Sequence, residues 1–370
     1  MDLTGRTIHE IETPALLVEM EILTRNISMM SKFADAQGVK LRPHFKTSKM
    51  IQVARLQEKE GVVGFTCATK AEAQALLEAG FNDVFWAHAP ASQGKARFVA
   101  RANRTARLAV GIDSTYLGQL LSEAAISEVS EIPVLLEIDT GLARTGIHPD
   151  RAEEVAVEIS GYEGLALVGV YTHEGQLAGM HTSREQVVNA GVEAARTLVS
   201  VAENLRDAGH EISVVSVGST PGWDSAPTVD GVTEARAGTY VFFDANQVRL
   251  ASAETSQCAL SVLSTIVSVP APQRFVIDAG IKAMSSDRSN KGDGFGFVTS
   301  LDGDALPDLE FNRAYEEHGI LTGTSHLGFE PGDRVRVIPN HACGTVNMFS
   351  RVHIVEDQTV LDIWCPVGRH

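Results

Sequence analysis

Short apolar runs alternate with helix-like segments over much of this chain, from residue 15 to about residue 250. The runs include Val62–Cys67, Asp83–Ala87, Ala106–Ile112 and Pro133–Asp139. They are apolar throughout instead of alternating with polar residues, which is typical of strands that are covered on both faces. About eight such strands in roughly 230 residues predict a (β/α)8 barrel of the TIM type. A doubly wound open sheet is the alternative that this pattern leaves open.

A dinucleotide-binding fingerprint would favour the open sheet, because such a sheet carries Gly-x-Gly-x-x-Gly between its first strand and helix. No such fingerprint follows an early strand of this chain. The Gly-rich stretch 292–296 opens no helical pattern, so we interpret it as a loop.

The alternation ends near residue 250, and strand-like runs then follow one another without long helical segments between them. Turns rich in Gly, Pro and Asp join these runs, which cover residues 261–269, 274–278, 334–338, 351–355 and 360–364. We therefore predict two domains. A barrel occupies residues 15–250, and a mostly-β domain occupies residues 251–370, to which residues 1–14 are assigned.

Composition excludes several classes of partner. The formal net charge of −16 argues against a nucleic-acid surface, which needs a basic stripe, and against an anionic membrane surface. No apolar run approaches the roughly 20 residues that cross a membrane. The N-terminus lacks the apolar core of a signal peptide, and the four cysteines are too scattered for a disulfide framework. We expect a cytoplasmic protein with reduced thiols.

Lys46 is the first candidate catalytic residue, because it lies on a predicted strand of the barrel, at the C-terminal end of that strand. A lysine at that end of a strand can form a Schiff base with an aldehyde cofactor. An isolated lysine is more often a solvated surface residue. Two Gly-, Ser- and Thr-containing segments that end later strands, 218–220 and 238–240, favour the functional interpretation.

These two segments consist of Gly218, Ser219 and Thr220, and of Gly238, Thr239 and Tyr240. Their backbone N–H groups and hydroxyls suit a phosphate, which barrels often bind at their late strands. Either glycine alone is explained as well by a simple turn. Both segments together with Lys46 indicate a phosphate-bearing aldehyde cofactor.

Three further side chains follow predicted strands. Arg144 suits a cofactor ring or a substrate carboxylate because its guanidinium is planar, although a surface ion pair is an equal alternative. His44 lies two residues before Lys46, and His173 could stack on a cofactor or hydrogen-bond to it. A structural role is the more frequent one for an isolated histidine.

The tripeptide His341-Ala342-Cys343 is a candidate metal site in the second domain. On an extended chain, residues two apart point to the same side. An imidazole and a thiolate on one side suit Zn²⁺, with open positions for water or substrate. The His-x-Cys pattern by itself is a weak indication of a metal site, because it often occurs by chance.

In order and over nearly the whole chain, these segments resemble the pyridoxal 5'-phosphate enzymes with the alanine-racemase-type barrel. More narrowly, they resemble the group formed by D-serine dehydratase, D-threo-3-hydroxyaspartate dehydratase and D-threonine aldolase. The matching segments are residues 13–15, 42–49, 139–141 with Arg144, 172–173, 217–221, 234–244, 278–280, 317–319 and 339–343.

The resemblance implies roles for the candidate residues. Lys46 would form the Schiff base with pyridoxal 5'-phosphate, segments 218–220 and 238–240 would hold the phosphate, and His341 and Cys343 would bind a divalent metal. The resemblance also implies a homodimer and a small D-amino acid as the substrate.

Within this group, dehydratases carry His-x-Cys and zinc, whereas aldolases tend to carry His-x-Asp and a harder metal such as Mn²⁺ or Mg²⁺. The resemblance therefore implies a lyase that eliminates water from a D-3-hydroxy amino acid, such as D-serine or D-threo-3-hydroxyaspartate, to give a 2-oxo acid and ammonia. Residues 344–347 match no single activity, so substrate choice stays open.

Three alternatives remain at this point. Retro-aldol cleavage would give glycine and an aldehyde. An amino-acid racemase would need acids or bases on both faces of the α-carbon but no metal. A cofactor-carrying binding protein would need neither the His-x-Cys pair nor a second domain.

Overall fold

The structure is a computed structural model that describes residues 3–180, 183–290, 294–323 and 327–369. The chain divides into two compact units. The barrel unit comprises Met29–Gly238 and Val367–His370, and the β unit comprises Met1–Ser28 and Thr239–Pro366.

Helices and strands alternate through the barrel unit and become mainly strands in the β unit. In chain order, they are β1 (Ala15–Glu19), α1 (Met20–Gln37), β2 (Lys40–Leu41), α2 (Ile51–Lys59), β3 (Phe65–Cys67), α3 (Lys70–Glu78), β4 (Asp83–Trp86), α4 (Gln93–Ala102), β5 (Arg107–Ile112), α5 (Thr115–Glu128), β6 (Ile132–Glu137), α6 (Ala152–Ser160), β7 (Leu165–Tyr171), α7 (Arg184–Asp207), β8 (Val214–Val217), β9 (Glu234–Ala235), α8 (Ala245–Arg249), β10 (Leu260–Ala271), β11 (Arg274–Ile277), α9 (Ile281–Met284), β12 (Gly296–Thr299), β13 (Ala305–Ala314), β14 (Gly319–Gly323), β15 (Arg334–Pro339), α10 (Ala342–Met348), β16 (Val352–Glu356) and β17 (Thr359–Trp364). None of the described helices is both long enough and apolar enough to cross a membrane.

The barrel unit contains a parallel sheet in which the described strands follow the order β2-β9-β8-β7-β6-β5-β4-β3. The segment after β2 also bonds to the segment that leads into β3. The N–H of Val63 donates to the carbonyl of Leu41 at 3.0 Å, and the N–H of Thr66 donates to that of Pro43 at 2.9 Å. These bonds join the two ends of the sheet. They confirm the predicted (β/α)8 barrel and exclude the open sheet, whose edge strands would be unpaired.

Side chains from neighbouring strands fill the barrel interior. Phe85, Ala109, Leu135 and Tyr171 form one buried cluster, with one residue from each of β4, β5, β6 and β7. The rings of Phe85 and Tyr171 meet edge to face with centroids 5.0 Å apart. Gly111 leaves space for this packing, because a Cβ there would lie 2.1 Å from the Tyr171 hydroxyl.

A buried ion pair joins β9 to the segment that follows β2, beside the place where the barrel closes. Nε of Arg42 donates to Oε2 of Glu234 at 2.7 Å, and the two side chains are only 7% and 6% exposed. Arg42 also donates to Oδ1 of Asp83 at 2.7 Å, while Oε1 of Glu234 accepts from the Ser216 hydroxyl at 2.8 Å. One arginine thereby links β2, β4 and β9, and its partner carboxylate links β8.

Nine described strands form the sheet of the β unit, in the order β11-β14-β13-β12-β15-β10-β1-β16-β17. Most pairs are antiparallel, but β1 and β16 are parallel. β10 also pairs with β11, which curls this part of the sheet back on itself. A buried cluster that includes Ile8, Leu17, Leu263 and Val360 packs beneath it. The predicted mostly-β architecture after residue 250 is confirmed.

Two predicted segments differ from the structure. The apolar residues near 235–243 predict a last barrel strand, but the observed strand is confined to Glu234–Ala235, and Thr239–Val241 form a 3₁₀ turn. The Gly-rich stretch 292–296 is not all loop, because Gly296 begins β12 opposite Pro339. Gly292 and Asp293 in that stretch lie outside the described residues.

We expect Glu234→Ala to lower the free energy of unfolding by up to about 3–5 kcal/mol, because it leaves the buried Arg42 guanidinium with only the half-buried Asp83 as its carboxylate partner. Glu154→Ala is the matched control. Glu154 pairs with Arg151 at 2.9 Å with both side chains more than half exposed, so its loss should change the free energy by less than about 1 kcal/mol. Urea denaturation measures the free energy of unfolding of both variants and of the wild type. Equal effects of the two substitutions would contradict a stabilising role for the buried pair.

Candidate functional site

Lys46 lies in the turn that follows β2, close to the C-terminal end of that strand. β2 ends at Leu41, so Lys46 does not itself belong to a strand as the sequence predicted. The turn is anchored on both sides. The N–H of Phe45 donates to the carbonyl of Thr66 at 2.8 Å, and the N–H of Lys49 donates to that of Phe45 at 2.8 Å. The Lys46 side chain is partly buried.

Two histidines near Lys46 are neutral at physiological pH. The pKa of His173 is lowered to about 3, first by burial and then by the positive charges of Lys46 and Arg144. The pKa of His44 is also lowered well below its usual value, by burial first and then by Lys46, Arg236 and His173. Both rings keep part of their surface accessible. The rim of the barrel therefore combines uncharged imidazoles with cationic side chains, which favours an anionic ligand.

Arg144 lies in the loop after β6 and is exposed. Asp139 shapes this loop, because its Oδ1 accepts from the N–H of Gly141 at 2.9 Å and from that of Ala143 at 3.1 Å. No ion pair involves Arg144 among the residues that the structure describes. The alternative of a surface ion pair thus finds no support, and its guanidinium is available to a ligand.

Gly218 follows β8 and packs closely against its surroundings. Nδ1 of His173 lies 2.6 Å from the Gly218 carbonyl oxygen. A carbonyl oxygen only accepts, so Nδ1 carries the hydrogen and Nε2 keeps its lone pair. A Cβ at position 218 would lie 2.8 Å from Cβ of Arg236. Only glycine fits this position without displacing the arginine.

Gly238, the second glycine of the predicted phosphate site, also lies where no side chain fits without displacing its neighbours. A Cβ on Gly238 would lie 2.8 Å from Oγ1 of Thr47 and 2.9 Å from Cβ of His44. Two glycines that admit no side chain therefore follow strands of the barrel that also carries Lys46. Ser219 and Thr220 beside Gly218 are buried. These residues fit a phosphate-bearing aldehyde such as pyridoxal 5'-phosphate, which needs a lysine, a cationic surrounding and a close approach of backbone N–H groups.

Segment 238–240 is divided between the two units. Gly238 belongs to the barrel unit, whereas Thr239 and Tyr240 belong to the β unit. Tyr240 is fully buried, and Oγ1 of Thr239 lies 3.7 Å from Sγ of Cys343. The structure thus places Lys46, His44, Arg144, His173, Gly218 and Gly238 in one unit and groups Thr239 with Cys343 in the other.

His341 and Cys343 do not lie on one extended segment, which corrects the geometry predicted for this pair. His341 is extended and precedes α10, and Cys343 lies in the first turn of that helix. The buried carboxylate of Asp244 positions the turn, since its Oδ2 accepts from the N–H of Ala342 at 3.0 Å. The two side chains nevertheless interact, because the Cys343 thiolate is the largest cause of a raised pKa at His341.

Asp287 contacts the His341 ring at Nδ1. Its Oδ2 lies 3.2 Å from Nδ1, and the carboxylate in turn accepts from the Ser285 hydroxyl at 2.9 Å. A carboxylate on Nδ1 leaves Nε2 for a metal, as in many zinc sites. The His341 side chain is 46% exposed, so a ligand can reach it. No cluster of three or more metal-type side chains occurs within the described ranges. The imidazole and thiolate fit Zn²⁺ with open coordination positions.

Sequence reasoning missed three residues of these two clusters. Glu174 and Arg236 are buried beside Gly218, and Asp287 orients His341. Glu174 could have been found, because it directly follows His173 at the end of β7. Arg236 directly follows β9, which is too short to recognise as a strand from sequence. Asp287 had no signal, since it lies more than 50 residues before His341.

Two family models match the chain in succession. The model of the alanine racemase N-terminal domain matches residues 18–246, and the model of a putative serine dehydratase domain matches residues 259–355.

Characterised relatives match over almost their whole length. D-threo-3-hydroxyaspartate dehydratase of Delftia sp. (strain HT23) is 35% identical over 97% of this chain and 98% of its own. D-threonine aldolase of Arthrobacter sp. is 27% identical over 97% and 93%. D-serine dehydratase of Dictyostelium discoideum is 28% identical over 97% of both chains.

The solved structure of the Delftia dehydratase has a TM-score of 0.91 to this chain, at 34% identity over 97% of this chain and 98% of that one. Fold, family models and relatives therefore agree. The chain belongs to the family in which an alanine racemase N-terminal domain precedes a serine dehydratase domain, and which includes D-threo-3-hydroxyaspartate dehydratase, D-serine dehydratase and D-threonine aldolase.

Proposed function

We propose that this chain is a pyridoxal-phosphate-dependent lyase that eliminates water from a D-3-hydroxy amino acid and releases a 2-oxo acid and ammonia. The observation that carries the proposal is the rim of the barrel, where Lys46 stands among Arg144, Arg236 and two neutral imidazoles. The 35% identical relative that is a D-threo-3-hydroxyaspartate dehydratase supports the reaction class.

The barrel unit would hold the cofactor. Lys46 would bind its aldehyde, the segment 218–220 and Gly238 would bind its phosphate, and Arg144 would bind the ring or the substrate carboxylate. When bound, pyridoxal phosphate acts as an electron sink that makes the α-proton of an amino acid removable. The amine of Lys46 is then the candidate base for that proton once substrate has displaced it. Nδ1 of His44 accepts from the Lys46 N–H, whereas Nδ1–H of His173 donates to the Gly218 carbonyl. Neither ring carries a charge that would compete with Lys46.

The β unit would hold a divalent metal, for which His341 and Cys343 are the proposed ligands. A bound Zn²⁺ supplies Lewis-acid chemistry, which makes a coordinated hydroxyl a better leaving group. A thiolate ligand favours Zn²⁺ over harder ions such as Mn²⁺ or Mg²⁺. A solved structure of a cysteine-to-alanine variant of D-threo-3-hydroxyaspartate dehydratase, 33% identical to this chain, is in the metal-free form, which supports a cysteine ligand.

Retro-aldol cleavage to glycine and an aldehyde is the second candidate function. The D-threonine aldolase of Arthrobacter covers as much of this chain as the dehydratases do. Both reactions would use the same lysine and the same cofactor, and they differ in the bond that breaks. The thiolate at Cys343 favours dehydration over the aldolase reaction.

We expect Lys46→Ala to abolish both the visible absorbance of the bound cofactor and the turnover of D-3-hydroxy amino acids, because no other amine would form the Schiff base. Lys40→Ala is the matched control, since Lys40 lies in β2 but is exposed. Absorbance spectra measure the bound cofactor, and a coupled ammonia assay without added amine measures turnover. A Lys46→Ala protein that keeps the absorbance and the activity would rule out the assigned lysine.

Removal of the metal by a chelator should abolish turnover, and added Zn²⁺ should restore it. Asp287→Asn should weaken zinc binding by roughly 10–100-fold because it loosens the His341 ring, and Cys343→Ala should weaken it further. Cys365→Ala is the control, because Cys365 is exposed and outside the cluster. Zinc content and activity are measured on the same samples. Full activity of metal-free protein would exclude the proposed role of the metal.

A further inference from the structure

The peptide groups at Gly218 are held from both sides by two successive residues. Nδ1–H of His173 donates to the Gly218 carbonyl oxygen at 2.6 Å. The carboxylate of Glu174 accepts from the Gly218 N–H at 3.1 Å and 3.2 Å, one distance for each oxygen. One dipeptide at the end of β7 therefore fixes the first residue of the segment that follows β8.

Glu174 is fully buried, which is unusual for a carboxylate that has no role in the proposed reaction. Burial raises its pKa, while the guanidinium of Arg236 acts in the opposite direction. Arg236 is itself buried, and its Nη2 donates to the Thr172 carbonyl and its Nη1 to the Ser216 hydroxyl, each at 2.6 Å. These bonds fix the arginine between β7 and β8. Glu174 and Arg236 thus lie buried against Gly218, with the arginine fixed by its own hydrogen bonds and Glu174 bonded to the Gly218 N–H.

The support determines which donors a ligand can use. Because the Gly218 N–H is occupied by Glu174, it is not free for a phosphate, although the sequence assigned Gly218 to that role. The N–H of the next residue, Ser219, donates to no backbone carbonyl within the described ranges. A fixed Gly218 peptide therefore sets the direction of the N–H groups that follow it.

We propose that Glu174 is a positioning residue that orients the segment 218–220 to bind the phosphate monoester of the cofactor. The inference rests on the proposed function, since it assumes that this segment receives the phosphate. Glu174 acts through the Gly218 N–H and does not touch the ligand. The same peptide holds His173 with its Nε2 lone pair available, so one carboxylate fixes both the phosphate segment and the imidazole beside Lys46.

The test compares the affinity for pyridoxal phosphate with that for pyridoxal, which has the same aldehyde and ring but no phosphate. Full-length protein is titrated with each compound, and the lysine adduct is followed by its absorbance. We expect Glu174→Ala to lower the ratio of the two affinities by about tenfold or more, because the loss of a charged acceptor frees the Gly218 peptide. Glu174→Gln should keep the ratio within about threefold of the wild type, since its amide oxygen still accepts the N–H.

Two further variants make the result interpretable. Glu174→Asp retracts the carboxylate by one methylene, so it should lower the ratio even if Glu174→Ala fails to fold. Glu211→Ala is the matched control, because Glu211 is exposed and precedes the other end of β8, and its ratio should equal that of the wild type.

The outcomes separate this inference from the proposed function. If wild-type protein forms no lysine adduct with pyridoxal phosphate, the proposed function fails and the inference fails with it. If the wild type forms the adduct but folded Glu174→Ala or Glu174→Asp protein has an unchanged ratio, the inference alone is overturned. An equal loss of affinity for both compounds would also overturn it, because it would show a general structural role.

Discussion

Closure of the eight-stranded sheet is the constraint on which the rest of the barrel unit depends. The buried pair between Arg42 and Glu234 joins β2 to β9, and backbone bonds join the following segment to β3. Because all eight strands are parallel, closure brings their C-terminal ends to one rim. Lys46 and Gly238, almost two hundred residues apart in the chain, thereby reach the same rim.

Electrostatics at this rim follow from that convergence. Lys46, Arg144 and Arg236 raise the local positive potential, and this potential together with burial keeps His44 and His173 uncharged. The rim therefore offers an anionic aldehyde ligand a lysine that can react with the aldehyde and cationic side chains that attract the anion. The buried carboxylate of Glu174 lies within the electrostatic influence of Arg236 and accepts from the Gly218 backbone N–H. In the function that we propose, the rim residues would contact a phosphate-bearing cofactor, and Glu174 would support the segment that binds its phosphate.

Sequence predicted the features that depend on local pattern. Uniformly apolar runs such as Pro133–Asp139 identified the barrel. Lys46 was found because it was assigned to the C-terminal end of a predicted strand, and the structure places it in the turn just after β2. Features that depend on distant contacts were not predictable. The turn that places Cys343 in α10 depends on Asp244, and the orientation of His341 depends on Asp287, neither of which is near them in the chain. β9 is only two residues long. Its pairing with β2 and β8, and not its own sequence pattern, determines that these residues form a strand.

The proposed elimination of water from a D-3-hydroxy amino acid is tested by product analysis. Purified protein with pyridoxal phosphate and zinc is offered D-serine, D-threonine and D-threo-3-hydroxyaspartate separately. We expect ammonia together with a 2-oxo acid from at least one of them. Glycine together with an aldehyde would contradict this proposal, and would show that a His-x-Cys metal pair is compatible with an aldolase.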